Sequence, residues 1–218
     1  MIILLFLGLP GSGKGTQAKI LEKKNILKHI SVGDLLRNYA NSDAPEWQEI
    51  NKKLGQGHLL PDLLVNKVVK QELDKINTNC ILDGYPRSMP QAKFIHKHFH
   101  GSVLRAVNFE ISEEIIEKRI IGRFSCASCA TIYNKYYFST KEKDICDNCK
   151  GSKFYYRKDD NLDSLKKRFL EYFTVTKKVI SYYKEKEKNL LINIDASLPL
   201  TDITIQLESK INEIKKTR

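Results

Sequence analysis

Six apolar residues, IILLFL at 2–7, run directly into G-L-P-G-S-G-K-G-T at 8–16. A short apolar run closed by glycine reads as a strand buried on both faces, and helical patterning follows over 14–24. A strand that enters a helix through a tight glycine-rich turn fits the first unit of a parallel sheet covered by helices. The turn also carries chemistry. Successive backbone N–H groups in such a loop converge on an anion, the helix N-terminus adds partial positive charge, and the lysine reaches outer phosphates. Gly11, Ser12, Gly13, Lys14, Gly15 and Thr16 are therefore the first candidate site residues. The general pattern sets a hydroxyl directly after the lysine, whereas here Gly15 intervenes and the hydroxyl belongs to Thr16.

The rhythm continues along the chain. Strands are expected at 2–7, 29–31, 80–82, 104–110 and 190–194. Helices are expected at 14–24, 33–39, 45–54, 61–75, 90–99, 112–122, 161–187 and 199–216. Ser112 before Glu113 and Glu114 has the form of an N-terminal cap with an acidic first turn, and Pro90 and Pro199 suit first-turn positions. Alternating strands and helices predict an α/β protein with a five-stranded parallel sheet flanked by helices. Two stretches break the alternation, 31–60 and 123–160, and read as lobes inserted into a body made of 1–30, 61–122 and 161–218. A chain of 218 residues suffices for one core with such lobes.

Lysine plus arginine exceeds aspartate plus glutamate by 37 minus 26, a net +11, which favours phosphate-rich partners. Part of that excess is plain surface, as in KEKEK at 184–188. The opening apolar run is too short to span a membrane and has no basic leader, so a cytoplasmic protein without membrane partners is expected. The HKHFH segment at 96–100 places His96 and His100 one helical turn apart, and reads as a solvated helix end rather than a metal patch.

Four of the five cysteines fall in one segment: Cys126 and Cys129, sixteen residues, then Cys146 and Cys149. Paired C-x2-C spacing is that of a closed four-thiolate site for structural zinc, with iron as the alternative. All-thiolate ligation leaves no open position for catalysis. A lobe of about 35 residues buries too little apolar surface to hold itself rigid, and a metal supplies what its core lacks. Cys80, in CILDG, reads as a small buried strand residue.

GLPGSGKGTQ at 8–17 resembles the loop of nucleoside monophosphate kinases. SVGDLLR at 31–37, GHLLPDLLV at 57–65, DGYPRSMPQ at 83–91, EKRIIGR at 117–123, RKDD at 157–160 and KKR at 166–168 follow in order. Together they resemble the adenylate kinase family over essentially the whole chain, and the cysteine quartet is similar to the one in the lid of its long-lid bacterial members. The resemblance implies reversible, magnesium-dependent phosphoryl transfer among ATP, AMP and ADP by a monomer, with 31–60 as the AMP lobe and 123–160 as a zinc-stapled lid. It implies Arg37 and Arg87 on the acceptor phosphate, and Arg123, Arg157 and Arg168 around the transferring group. Such a reaction concentrates negative charge, and planar guanidinium forks answer it. Asp83 is implied to orient waters of a nucleotide-bound magnesium, and Arg119 to cover the donor adenine beside Ile132, Tyr133 and Leu198. Val32, His58, Leu59, Leu60, Gly84, Tyr85 and Gln91 are implied around AMP, with Gln91 reading the base. Val32 departs from the family's small or hydroxyl residue there. Asp34 and Asp160 read as carboxylates that fix neighbouring arginines.

Two alternatives stay open. One is a related kinase with a GTP donor or pyrimidine acceptor. The other is a zinc-ribbon nucleic-acid module on a P-loop motor, with YNKYYF at 133–138 as a stacking platform. The second leaves the acceptor-site motifs unexplained.

Overall fold

A computed structural model describes residues 1–40, 53, 58–157, 160–186 and 190–216. Five parallel strands form the central sheet: β1 (Ile2–Gly8), β2 (Lys28–Ser31), β3 (Cys80–Asp83), β4 (Val103–Glu110) and, late in the chain, β8 (Leu191–Asp195). Their spatial order is β2-β3-β1-β4-β8. The most apolar strand takes the centre, with Leu5 opposite Leu82 on one side and Ala106 on the other.

Alternate residues of β1 point to opposite faces, so its unbroken apolar run builds two cores at once. Ile3, Leu5 and Leu7 pack with Val65, Val68 and Val69 of α3 (Asp62–Leu73), Ala92 and Ile95 of α4 (Met89–His98), and Val179 and Tyr183 of α7 (Lys177–Lys186). Ile2, Leu4 and Phe6 pack with Ala18 and Leu21 of α1 (Lys14–Lys23) and with Ile203, Leu207 and Ile211 of α8 (Leu200–Lys216). The helices α2 (Val32–Ala40), α5 (Glu113–Ile121) and α6 (Leu162–Glu171) border the carboxyl ends of the strands. Cys80 is buried in β3, as expected, and burial pushes its thiol up to about 12.

Several expectations need correcting. The single helix expected over 161–187 is α6 and α7 joined by a π-helical turn, Tyr172–Thr176. Thr174 Oγ1 donates to Leu170 O at 2.7 Å, a side-chain bond that competes with the regular backbone ladder there. Ser112 precedes α5, but its side chain accepts no capping bond, so only Glu113 and Glu114 serve the helix dipole. Ser88 and Asn161 do cap, accepting from Gln91 N at 3.3 Å and Ser164 N at 2.9 Å. His96 is not a solvated residue, since its ring lies 5.4 Å from that of Tyr183. The helix expected at 45–54 and most of the 31–60 lobe lie outside the described residues.

The 123–160 stretch contains an antiparallel sheet of order β6-β5-β7, made of β5 (Arg123–Cys126), β6 (Ile132–Asn134) and β7 (Phe154–Tyr155). Phe124, Tyr133 and Phe154 pack with three of the cysteines as its small core. Among the described residues no helix is long and apolar enough to cross a membrane.

Candidate active site

A cavity of about 850 Å³ opens at the carboxyl ends of the parallel strands, where ligands of open α/β sheets bind. Its floor is the turn between β1 and α1. Gly11 and Gly13 have φ of 82° and 94°, the left-handed region that glycine enters without strain. A Cβ on Gly15 would stand 3.0 Å from Asp83 Oδ2, so any side chain after the lysine would crowd that carboxylate. Lys14 Nζ donates to Gly8 O at 2.9 Å, Leu9 O at 2.7 Å and Ser12 Oγ at 3.0 Å. Burial pulls its pKa down to about 7; Arg87, Arg168 and Arg123 add to that fall, and Asp83 opposes it.

Arg37, Arg87, Arg123, Arg157 and Arg168 all line this cavity. Two carboxylates order four of them. Asp160, at the end of the cysteine lobe, accepts from Arg123 Nε at 2.6 Å and lies 3.9 Å from Arg168 Nη1. Asp34, on α2, accepts from Arg37 Nη2 at 2.5 Å and lies 3.6 Å from Arg157 Nη2. Burial alone would raise the Asp34 pKa, but Arg37, a bond from Ser31 and the charge of Arg157 hold it down at about 2. Arg87 Nε donates to Gly84 O at 2.8 Å.

Gln91 is buried with its carboxamide aimed by protein partners. Its Oε1 accepts from Arg87 N at 2.8 Å, and its Nε2 donates to Asp62 Oδ1 at 2.8 Å. One N–H and one oxygen lone pair remain for a ligand, the pair that an adenine amino edge needs. Val32, Leu36, Leu60 and Val65 give the apolar wall beside it, with His58 and Leu59 at the rim. Arg119, Ile132, Tyr133, Asn134, Tyr137 and Leu198 also line this cavity. Tyr85 alone among the expected nucleotide contacts does not line it. It is fully buried and bonds Asn66 Oδ1 at 2.8 Å and Gln91 O at 3.2 Å, so it steadies Gln91 from behind.

The motif order along the chain is matched by comparison with known proteins. A family model for adenylate kinase covers residues 6–188. An adenylate kinase of Rickettsia africae is 42% identical over 213 residues, which is 97% of this chain and all of the relative. Those of Rickettsia conorii and Rickettsia prowazekii are 41% and 40% identical over the same share. The chain belongs to the adenylate kinase family. It is a nucleoside monophosphate kinase, and the nucleic-acid-binding motor is not favoured.

In this adenylate kinase relative the four cysteine Sγ atoms lie within 4.8 Å of one another, with Cys126–Cys149 at 3.5 Å and Cys129–Cys146 at 3.6 Å. A tetrahedron with metal–sulfur bonds of about 2.3 Å has edges of about 3.8 Å, so the quartet fits one ion. The two C-x2-C turns share one backbone design. Cys126 N donates to Thr131 O and Cys146 N to Gly151 O, each at 2.9 Å. Ala130 N returns to Cys126 O and Lys150 N to Cys146 O, again at 2.9 Å. Around them, Thr131 Oγ1 lies 3.1 Å from Cys129 Sγ, and the Tyr133 hydroxyl 3.3 Å from Cys146 Sγ. An ion held by the quartet would find in these hydroxyls the outer partners that orient thiolate ligands. Among the described residues this is the one cluster of His, Cys, Asp or Glu suited to a metal.

Four functional positions escape sequence reasoning. His29 Nε2 lies 3.4 Å from Asp83 Oδ2. Burial alone would raise the Asp83 pKa, and His29, Lys14 and Arg87 together outweigh it, keeping the carboxyl low. Asp62 aims Gln91 and also accepts from Ser88 Oγ at 2.6 Å. Glu171 Oε1 holds the 58–60 segment, 3.2 Å from both His58 Nδ1 and Leu59 N. Asn134 Nδ2 donates to Arg119 O at 2.8 Å and so braces the backbone that carries the Arg119 side chain into the cavity. Asp62 and Asn134 fall inside segments quoted above and His29 and Glu171 outside them, yet none had a reading of its own, and each acts on a residue that did.

Proposed function

We propose that this chain catalyses the reversible reaction ATP + AMP = 2 ADP with magnesium, serving adenine nucleotide balance as a cytoplasmic monomer. The observation that carries the reading is one cavity, lined by one chain, which joins the glycine-rich loop, five arginines, the Gln91 carboxamide and the group around Arg119. Two nucleotides laid tail to tail would meet there.

In this reading the loop from Gly11 to Thr16 holds the donor phosphates, and Arg119, Ile132, Tyr133 and Leu198 its adenine. Val32, His58, Leu59, Leu60, Gly84 and Gln91 seat AMP, with Arg37 and Arg87 on its phosphate. Lys14, Arg123, Arg157 and Arg168 surround the group in flight, where fixed donors stabilise charge without reorganising. Asp83, kept ionised beside the cradle, fits a role in orienting magnesium-bound water. Magnesium, when bound, would neutralise charge shared between donor phosphates. The lobes 31–60 and 123–160 would close on the body and exclude water that otherwise accepts the phosphoryl group. Structural zinc in the cysteine quartet, with its matching edge lengths, would make the second lobe move as a unit.

A coupled assay of every nucleoside monophosphate with ATP and with GTP tests the reading. AMP with ATP is expected to turn over fastest. A faster pyrimidine acceptor or GTP donor would transfer the assignment to that pair, and absence of any transfer would end it.

A further inference from the structure

We propose that Lys19 and Lys23 of α1 form a latch that couples metal loading of the cysteine lobe to closure of that lobe over the nucleotide cavity. The inference rests on the proposal that the quartet holds a metal. Residues four apart on a helix share a face, and these two lysines reach the two different C-x2-C turns. Lys19 Nζ donates to Ala130 O at 2.5 Å, and Lys23 Nζ to Asn148 Oδ1 at 3.3 Å. Ala130 directly follows Cys129, and Asn148 stands between Cys146 and Cys149.

Both acceptors belong to backbone turns that the metal would fix. Ala130 has a φ of 54°, and its N–H is bonded back to Cys126 O at 2.9 Å, so its carbonyl direction depends on the turn keeping its shape. A dication in four thiolates also leaves a net charge of about −2 facing two ammonium groups. The helix end of the latch is rigid, because Ala18 and Leu21 are fully buried in the body and the phosphate loop enters α1 directly. Lys19 lines the cavity as well, so the latch closes where the nucleotides lie. Lys24, the next lysine, turns away and pairs with Glu208 of α8 at 2.5 Å. It supplies the control.

Linkage makes the coupling reciprocal: if the metal-fixed turns favour the closed lobe, nucleotides that favour closure must raise metal affinity, and a lobe held shut is expected to show this as slower release. The experiment takes the protein as purified, measures its metal content, and follows release to a chromogenic chelator with and without saturating ADP. ADP affinity is titrated for each variant, since Lys19 borders the cavity. In wild type ADP is expected to slow release about fivefold or more. Lys19→Ala with Lys23→Ala should reduce that protection below about twofold, while Lys24→Ala keeps it and Lys19→Arg restores part of it. The exposed change Lys23→Ala alone, expected to lose part of the protection, keeps the test decisive if the double variant folds poorly. Wild-type protection retained in the lysine variants, or release in wild type indifferent to ADP, overturns the latch while leaving the metal reading intact. Protein that holds no metal and takes up none when zinc is added overturns the metal reading, and the latch with it.

Discussion

Lys14 is the residue on which the chemistry of the cradle turns. Burial, with Arg87, Arg168 and Arg123, brings its pKa to about 7, so phosphates placed against it must favour its charged form. Nucleotide binding between about pH 7 and 10 is therefore expected to take up a proton, measurable by calorimetry in buffers of different ionisation enthalpy. Lys14→Met should bind without that uptake and lose about a thousandfold in kcat. The same shift has a stability sign: the unfolded chain binds more protons at this residue above about pH 7, so its contribution to stability rises as pH climbs toward 10.5. On the acceptor side, Gln91→Ala and Asp62→Ala should both raise the KM for AMP far more than that for ATP, because Asp62 aims the carboxamide. Equal effects on both substrates would place the acceptor base elsewhere. Gln91 was legible in the sequence because its motif is contiguous. Asp62 was not, because it meets Gln91 only through the packing of α3 on α4, twenty-nine residues apart in the chain. His29 was hidden in a strand for the same reason, visible only once β2 lies beside β3.

At the scale of elements, the body was easier to read than the cysteine lobe. β1 declares itself because both faces are buried and every residue is apolar, and Leu5→Ala there should cost about 3 kcal/mol in denaturant unfolding, the usual range for an emptied core site. The strands of the lobe have two to four residues, too few for alternation to show, and their pairing is imposed by the cysteine turns. The π-helical turn after Glu171 was likewise unreadable, since Thr174 distorts a helix whose apolar spacing continues through it. Cys146→Ser tests the lobe as a unit. Metal-binding free energy is folding free energy for so small a piece, so the variant should expose 123–157 to protease while the parallel sheet stays folded. Turnover at moderate temperature should persist, because among the described residues no sulfur lines the cavity, and should fail earlier on heating.

The whole molecule converges five arginines on one cavity, and their mutual repulsion is contained by two carboxylates drawn from different parts of the chain. Asp160 ties Arg123 to Arg168 of α6, while Asp34 ties Arg37 of α2 to Arg157 near the end of the cysteine lobe. In the proposed reading these ion pairs stand in for phosphate oxygens, whose task a bound nucleotide would take over. Asp34→Asn keeps the side-chain shape but removes a negative charge that Arg37 and Arg157 share. Without nucleotide the variant should unfold at a lower temperature, since two cations lose their counter-charge in a partly desolvated site. With saturating ADP most of that deficit should vanish, because phosphates supply the missing charge and bind only the folded chain. The stabilisation by ADP should thus be larger in the variant than in wild type, and the difference should shrink as salt screens the arginines. Asp34 is held at about 2, so the wild-type link contributes fully above the ordinary carboxylate range and is lost only as pH falls toward that value. Thermal unfolding of both proteins at low and high salt, with and without ADP, measures all three effects. A deficit unchanged by ADP would mean that Asp34 serves only its own helix, whose first turn it occupies, and not the arginines across the cavity.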